Sequence, residues 1–259
     1  MTMPLTSPDS PDRRSLHERI AADLRDEIMT GDLPPDAALP STARLKERFG
    51  ASNATIQKAL QILKEERLVV GRAGAAVTVR AHRQLTVSPA GSLTPAAPGE
   101  PYPWLSRIAE SGSRADSALL DVCEARPPAD VAAALRLGEG EPAVSRHQLL
   151  SVDGEPVELV TSYYPSAIAR GTALAEPRKI RGGTPTLLRE LGFPPRLSVD
   201  RVSARVPTQE QYRRLGLPGD LPVLRTLRVV QSDGDRPVEA TVMVKAGHLY
   251  ELRYEFTSG

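Results

Sequence analysis

The sequence predicts an α+β chain of two domains: a small helical domain with a two-stranded hairpin, and a larger domain whose helices pack on an antiparallel sheet. Three observations predict this division. The first seventy residues contain three capped helical segments, residues 84–103 are rich in Ser, Pro, Ala and Gly, and the remainder repeats one helix–strand–turn–strand pattern. With 259 residues, each domain is large enough to bury its own core.

The N-terminal domain is predicted over residues 15–83, after a disordered tail at residues 1–14. Ser15 and Glu18 form a capping box, and the apolar residues that follow recur at helical spacing, which predicts the first helix. Gly31 ends this helix, and a turn with two consecutive prolines follows it.

Two further helices, joined by a Gly-Ala-Ser turn, predict a helix-turn-helix. Ser41 caps the first of them, over residues 42–49, and Ser52 or Asn53 caps the second. The second helix, over residues 53–63, is of a size to enter the major groove of DNA. Its polar residues near the N-terminal end lie off the apolar stripe, where side chains reach base edges and phosphates.

Residues 68–70 and 77–79 predict two strands around a tight loop, a wing with Arg72 at its tip. Residues 40–83 contain nine Arg and Lys against three Asp and Glu, although the net charge of the whole chain is only +1. Because such a patch attracts phosphate backbones, double-stranded DNA is the predicted partner. The candidate DNA contacts are Ser41, Arg44, Ser52, Asn53, Thr55, Gln57, Lys58, Arg72 and Gly74.

Residues 15–80 resemble the GntR family of winged-helix regulators, and the resemblance implies a repressor that binds operator DNA. The family usually has arginine where Asn53 and Gln57 stand, and an acid followed by arginine where Thr42 and Ala43 stand. Because amide side chains suit adenine, we expect an operator that departs from the family's usual one. The matching segments are Leu39-Pro40-Ser41, Ser52 through Leu60, Leu63 through Val70, and Arg72-Ala73-Gly74.

Residues 84–103 lack helical or alternating spacing and are predicted to be a linker. The repeat beyond them consists of a short helix, a strand, an Asp-Gly turn and a returning strand. The turns fall at Asp153-Gly154 and Asp233-Gly234, where the positive φ of a tight hairpin is favoured. Pairing the two hairpins gives one antiparallel sheet with helices on a face. Further elements are predicted as a helix over residues 184–191 capped by Thr184, and strands over residues 196–206 and 249–254.

Residues 104–256 resemble the effector-binding UTRA domain of the HutC branch of the same family, which has a chorismate lyase-like α+β fold. The resemblance implies a small-molecule effector. Because a lone winged helix contacts too few base pairs for useful specificity, we expect a homodimer, formed through this domain, on a pseudo-palindromic operator. The matching segments are residues 133–138, 153–157, 161–165, 215–225 and 233–239.

The resemblance also indicates effector contacts. In relatives that sense phosphorylated sugars, an Arg-x-Arg strand supplies positive charge, and Arg146 matches the first arginine whereas Gln148 replaces the second. Val160 replaces one usual acid, and Glu239 retains the other. Because one arginine does not make the cationic cluster that a phosphate dianion favours, we expect a less charged, more apolar effector. The candidate contacts are Arg146, Gln148, Ser162, Tyr163, Glu239 and Lys245.

Each of these residues has an alternative interpretation. Arg146 and Arg225 occupy equivalent positions in the repeat and both suit a structural role. Tyr163 suits packing and Glu239 suits a strand pair, whereas Lys245 and His248 suit the surface. At the level of function, the alternatives to a ligand-released repressor are a constitutive DNA-binding repressor without an effector and a lyase-like enzyme on the second domain.

Other function classes are disfavoured. The chain has no Gly-rich phosphate loop, no paired metal-ligand spacing and only four histidines, so we expect neither an enzyme nor a bound metal or other cofactor. The single cysteine, Cys123, is predicted to be a small buried hydrophobe. No run of eighteen apolar residues and no apolar signal core occur, so we expect a cytoplasmic chain without a membrane segment.

Overall fold

The computed structural model describes residues 12–71, 76–80, 84–89, 103–180, 182–219 and 221–256. The chain divides into two compact units, Met1–Arg83 and Gln84–Gly259. The first unit has the predicted helix-turn-helix and two antiparallel strands where the wing was expected. Its elements are α1 (Leu16–Thr30), α2 (Thr42–Phe49), α3 (Asn53–Glu65), β1 (Val69–Val70) and β2 (Thr78–Val79).

Apolar side chains from the three helices and both strands form a single core in the first unit. Ile20, Leu24 and Ile28 recur at helical spacing along α1 and are buried, so one stripe of this helix faces the core. Gly50 adopts the left-handed conformation (φ 58°) between α2 and α3. This conformation costs glycine little, and it allows the sharp change of direction that a helix-turn-helix needs.

Two ion pairs join α1 to the other helices. Arg25 on α1 donates two hydrogen bonds, at 2.8 and 2.6 Å, to the carboxylate of Glu66, which is buried and forms the C-cap of α3. Arg48 on α2 pairs with Glu27 on α1. Bidentate Arg–carboxylate pairs fix geometry as well as adding energy. The orientation of α3 in the unit is therefore held at both its apolar stripe and its C-terminal end.

The second unit consists of helices packed on an antiparallel sheet. Its helices are α4 (Pro103–Glu110), α5 (Ala129–Leu135), α6 (Ser166–Ala169), α7 (Thr184–Glu190) and α8 (Gln209–Leu215). Its strands are β3 (Leu85–Val87), β4 (Ala115–Ala125), β5 (Ala143–Val152), β6 (Glu155–Pro165), β7 (Leu197–Arg205), β8 (Val223–Ser232), β9 (Arg236–Ala246) and β10 (Tyr250–Leu252). Six strands form the main sheet in the order β4–β5–β6–β9–β8–β7.

The sequence repeat corresponds to two hairpins, β5–β6 and β8–β9, which meet through β6 and β9 at the centre of the sheet. A short helix, α5 or α8, precedes each hairpin. At the first turn, Asp153 and Gly154 both have positive φ, 51° and 81°, as the favoured two-residue hairpin turn requires. The predicted α+β fold with an antiparallel sheet is thus confirmed.

The two faces of the main sheet are covered differently. Helices α5 and α8 bury one face. On the opposite face, which carries Ser162 and Glu239 and is called the cleft face below, α6 and α7 cover one end of the strands and α4 covers the other. Between these helices Gln148, Val160 and Met243 are only half-buried. As far as the described residues show, the middle of the cleft face is therefore partly accessible to solvent.

The structure differs from the sequence prediction at the start of the expected linker. Leu85–Val87 is a strand that pairs in parallel with β10, outside the main sheet. The carbonyl of Pro89 accepts a hydrogen bond from Arg228 at 3.2 Å. A linker that begins at Gln84 is therefore wrong for residues 84–89. The strand is only three residues long, which is too short for its alternation to be recognised in a Pro-rich stretch.

Two side chains do not lie where the sequence placed them. Cys123 is exposed rather than buried, because β4 is an edge strand, and its Sγ lies 3.3 Å from Ser145 Oγ. Gly183 rather than Thr184 is the N-cap of α7. The hydroxyl of Thr184 instead lies 3.4 Å from Glu239 Oε2, so it belongs to the cleft face.

Candidate functional site

The N-terminal end of α3 is a polar cap. Ser52 is the N-cap residue: its Oγ accepts a hydrogen bond from the Thr55 backbone N–H at 3.2 Å and lies 2.9 Å from Thr55 Oγ1. Of the two predicted caps, Ser52 takes this role, so the side chain of Asn53 is not used in capping. The exposed N–H groups and positive dipole at such a helix end favour a phosphate.

The exposed stripe of α3 holds most of the predicted base contacts. Asn53, Gln57 and Lys58 are exposed, whereas Ile56 and Leu63 are buried in the core. Because the apolar stripe fixes the rotation of the helix about its axis, the polar stripe faces outward. The arrangement gives two amides and one ammonium group on a rigid helix, the chemistry that reads base edges and phosphates.

The remaining predicted DNA contacts lie on α2 and in the wing. Ser41 caps α2 and accepts the Arg44 backbone N–H at 3.3 Å, and both side chains are exposed. Arg72 and Gly74 lie outside the described residues. Strands β1 and β2, which flank that tip, pair in the register Val69↔Val79 and Val70↔Thr78.

A row of polar side chains crosses the cleft face from strand to strand. The sheet register places one residue of each strand directly opposite the next. In order from β5 through β6, β9 and β8 to β7, these residues are Arg146, Ser162, Thr241, Arg228 and Asp200. Directly opposite residues in a sheet place their side chains on the same face. The sheet register therefore brings together five polar groups that are far apart in sequence.

Glu239 lies beside this row and is buried. Its Oε1 accepts a hydrogen bond from Thr241 at 2.6 Å, and Ser162 and Thr184 lie at 3.4 Å from its two oxygens. Burial raises the pKa of Glu239 above the ordinary carboxyl value, whereas the Thr241 hydrogen bond and the charge of Arg228 oppose that shift. The carboxylate thus has one short hydrogen bond and two long ones in the described structure.

Because burial raises the pKa of Glu239, the folded chain binds this proton more tightly than the unfolded chain does. Stability should therefore fall as the pH rises through the interval between the ordinary carboxyl pKa of 4.5 and the raised value. We expect Glu239→Gln to raise the melting temperature of the ligand-free protein at neutral pH and to have no such effect below pH ~4, where the carboxyl is protonated in both states. Thermal melts across this pH range, with the exposed Glu210→Gln as control, test the expectation; an unchanged or lower melting temperature at neutral pH contradicts it.

The guanidinium of Arg146 is engaged by main-chain carbonyls. Its Nη1 donates to the carbonyls of Leu174 and Glu176 at 2.9 and 2.8 Å, and its Nη2 to that of Arg178 at 2.6 Å. The side chain is 2% exposed. Arg146 therefore orders the segment between α6 and α7, in line with the structural interpretation of this residue, and its nitrogens are largely occupied.

Two further cations on the cleft face are held by carboxylates. Arg228 pairs with Asp200 through two hydrogen bonds of 2.7 Å. Lys245 Nζ lies 2.9 Å from Glu158 Oε1, and both side chains are about 95% buried. Lys245 is therefore neither at the surface nor available as an unpaired cation.

The structure does not bring Tyr163 together with the other predicted effector contacts. Successive residues of a strand point to opposite faces, so Tyr163 lies on the face opposite Ser162. It packs with Val131 and Leu135 of α5. Gln148, by contrast, lies on the cleft face opposite Val160 and is half-buried. Among the predicted effector contacts, Arg146, Gln148, Ser162, Glu239 and Lys245 share that face.

Comparison with known proteins agrees with this geometry. The model of the GntR family of bacterial regulatory proteins matches residues 16–79, and that of the UTRA domain matches residues 110–251, more than half of the chain. An uncharacterised HTH-type transcriptional regulator of Streptomyces coelicolor is 30% identical over 96% of this chain and 94% of its own. The chain belongs to the GntR family.

Other relatives extend this comparison. The HTH-type transcriptional regulator GgaR of Escherichia coli is 22% identical over 92% of this GntR regulator and 90% of its own chain. A putative GntR-family transcriptional regulator of known structure superposes with a TM-score of 0.60 at 25% identity, covering 95% of this chain and 99% of its own. PhnF from Mycobacterium smegmatis has the same fold, with a TM-score of 0.59 at 18% identity over 93% and 100% of the two chains.

This GntR regulator combines a DNA-binding helix-turn-helix unit with a UTRA effector domain, and its relatives are transcription regulators rather than enzymes. Among the described helices, none has both the length and the apolar content needed to cross a membrane. The described side chains include no cluster of three His, Cys, Asp or Glu residues placed to hold a metal ion.

Several residues of the cleft face were not predicted from the sequence. The hydroxyls of Tyr164 and Thr226 are buried there and meet no hydrogen-bonding group of the described chain in good geometry. Thr241 follows Glu239 by two positions, and strand alternation alone would have placed it on the same face. Thr184, Arg228 and Asp200 required the strand register and the fold of the α7 segment, which the sequence does not show.

Proposed function

We propose that this GntR regulator is a cytoplasmic repressor that binds a pseudo-palindromic operator as a homodimer and is released by a small-molecule effector. The observation that supports this most is the combination of an exposed polar stripe on α3 with a polar, half-open cleft face in the second unit. The stripe is exposed, and the cleft face holds the buried hydroxyls of Tyr164 and Thr226 without partners among the described residues.

The DNA-binding step rests on α3. Asn53 and Gln57 place carboxamides on the outward stripe, and a carboxamide forms a bidentate pair with the N6 and N7 edge of adenine. Lys58 adds a phosphate contact beside them. This set supports an operator richer in adenine contacts than one read by arginines, which pair with guanine.

Dimerisation is supported by the edge of the main sheet. Strand β7 is an edge strand, and within the described residues it pairs only with β8. Leu197, Val199 and Val202 on it are 51%, 47% and 42% exposed. An exposed apolar edge strand favours pairing with another chain. A two-fold dimer formed there would present two reading helices to two half-sites.

Transmission of the effector signal is supported by contacts of β10. The hydroxyl of Tyr250 donates to Glu158 Oε2 at 2.8 Å, and Glu158 also binds Lys245, which lies on β9 like Glu239. Strand β10 in turn pairs with β3, which directly follows the DNA-binding unit in the sequence. A ligand on β9 that favours one position of β10 would therefore also favour one position of β3, the segment that follows the DNA-binding unit. The size of this shift is limited by the difference between the ligand's affinities for the two positions.

Replacing Lys58 by alanine should weaken DNA binding almost equally for specific and unrelated duplexes. The loss of one phosphate contact is expected to reduce the slope of log K against log[salt] by about 1. Fluorescence anisotropy at several salt concentrations measures this slope. The exposed Lys179→Ala in the second unit is the matched control and should leave the slope unchanged; an unchanged slope in Lys58→Ala would show that this residue does not touch the backbone.

The proposed function is tested by binding-site selection on random duplexes followed by gel shifts on the recovered operator. We expect a palindromic consensus with adenine at the positions that α3 reads. Candidate effectors are then added to the complex. Release of DNA supports a sensor, whereas a complex that no ligand affects indicates a constitutive repressor. Recovery of no consensus at all would reject sequence-specific DNA binding.

A further inference from the structure

The charges on the cleft face are unevenly satisfied. Three cations point to this face, and each already has partners: Arg146 has main-chain carbonyls, Arg228 has Asp200 and Lys245 has Glu158. Glu239, by contrast, is met only by hydroxyl groups at hydrogen-bonding distance in the described structure. The side chain that lacks a strong partner here is therefore an acid.

A second feature is a group of apolar side chains next to the polar row. Two residues further along β6, β9 and β7, Val160, Met243 and Val202 lie on the same face and are at least partly exposed, whereas β5 and β8 place Gln148 and the buried Thr226 in line with them. Glu239 and Met243 are four residues apart on β9, which at the rise of an extended strand is roughly 13 Å. A ligand that reaches from Glu239 to these apolar side chains needs one polar end and an apolar body several carbons long.

The hydroxyls around Glu239 indicate what the polar end must offer. Tyr164 lies near Glu239, Ser162 and Thr184 with its hydroxyl 0% exposed and without a partner of good geometry among the described residues. Buried polar groups without partners are rare, and a bound ion or water molecule is one of the usual reasons. A group with several N–H donors satisfies a carboxylate and a neighbouring hydroxyl oxygen at the same time.

We propose that the effector is a primary amine with an apolar body, bound with its ammonium group on Glu239 and its body on Val160 and Met243, and that it carries no phosphate. The inference rests on the proposed sensing function of this domain. A phosphate dianion would meet cations whose N–H groups already have partners and would lie close to Glu239, so it would be repelled where an ammonium is attracted.

The proposal is tested by calorimetric titration of the full-length protein with three compounds that share one body: phenylbutylamine, phenylbutanol and phenylbutyl phosphate. We expect the amine to bind at least tenfold more tightly than the alcohol, and the phosphate not to bind measurably. Glu239→Gln should weaken amine binding at least tenfold, and Glu239→Asp, which keeps the charge, should weaken it less. Glu210→Gln, on the helix that covers the opposite face, is the matched control and should bind like the unaltered protein.

Three outcomes would overturn the proposal: tighter binding of the phosphate than of the amine, amine affinity that does not change in Glu239→Gln, or no amine binding at millimolar concentration. Circular dichroism of both Glu239 variants checks that they are folded. Gel shifts on the selected operator separate this proposal from the proposed function. If the alcohol or the phosphate releases the DNA, the sensor function holds and the amine assignment is wrong, whereas failure of the unaltered protein to bind any operator rejects the function itself.

Discussion

Replacing Asn53 and Gln57 together by alanine should lower affinity for the selected operator by about 30-fold to 10⁴-fold and leave affinity for unrelated duplexes nearly unchanged. Each bidentate contact between a carboxamide and adenine is worth about 1–3 kcal/mol of discrimination, and two independent contacts add. Both residues are exposed on α3, and alanine favours helix, so the fold of the unit should not change.

The measurement is a pair of titrations, one with the operator and one with a scrambled duplex at the same salt concentration. Gln61→Ala is the matched control: it removes an exposed amide from the same helix, two turns from its start, where the side chain bonds to Glu65 at 3.0 Å. We expect Gln61→Ala to bind the operator normally. If the double variant also does so, α3 does not read the bases as proposed.

Replacing Arg146 by alanine should destabilise the second unit by at least about 3 kcal/mol. The guanidinium makes three hydrogen bonds of 2.6–2.9 Å to main-chain carbonyls, and bonds that involve a charged group contribute about 1.5–3 kcal/mol each. Without it, the carbonyls of Leu174, Glu176 and Arg178 lose their donors. Lysine does not replace the planar fork of arginine, so Arg146→Lys should be nearly as unstable.

Urea unfolding followed by circular dichroism measures this loss, and the transition of the DNA-binding unit serves as an internal reference. Arg225→Ala is the control, because Arg225 also lies on an inner strand of the sheet but, on the face opposite Arg146, makes a partly exposed ion pair with Asp130 at 2.6 Å. Its loss should cost about 1 kcal/mol or less. Equal stability of the two variants, with effector binding lost only in Arg146→Ala, would instead make Arg146 a ligand contact.

The first unit could be predicted almost completely from the sequence because its determinants are local. The Ser41 and Ser52 caps, the Gly50 turn and the apolar stripe of α3 each involve residues within about four positions of one another. The same holds for the Asp153-Gly154 hairpin. The family resemblance then assigned the order of the two domains, which the comparisons confirm.

The cleft face could be predicted only in part because its determinants are non-local. Pairing of β6 with β9 joins Ser162 to Thr241, 79 positions apart, and pairing of β7 with β8 joins Asp200 to Arg228. Tyr163 was proposed as an effector contact because residues 161–165 match the UTRA domain, but strand alternation places its side chain on the opposite face. Likewise, the sequence shows that residue 245 is a lysine, but it does not show that Glu158 lies beside Lys245 and compensates its charge.

The parallel pair of β3 and β10 has a consequence for how the protein is made. Thr86 on β3 and Glu251 on β10 are joined by a hydrogen bond across 165 positions of sequence. Contacts this distant form late, since most of the polypeptide must leave the ribosome first. The nascent chain therefore completes its helix-turn-helix unit well before β3, the first strand after that unit, has a partner strand to pair with.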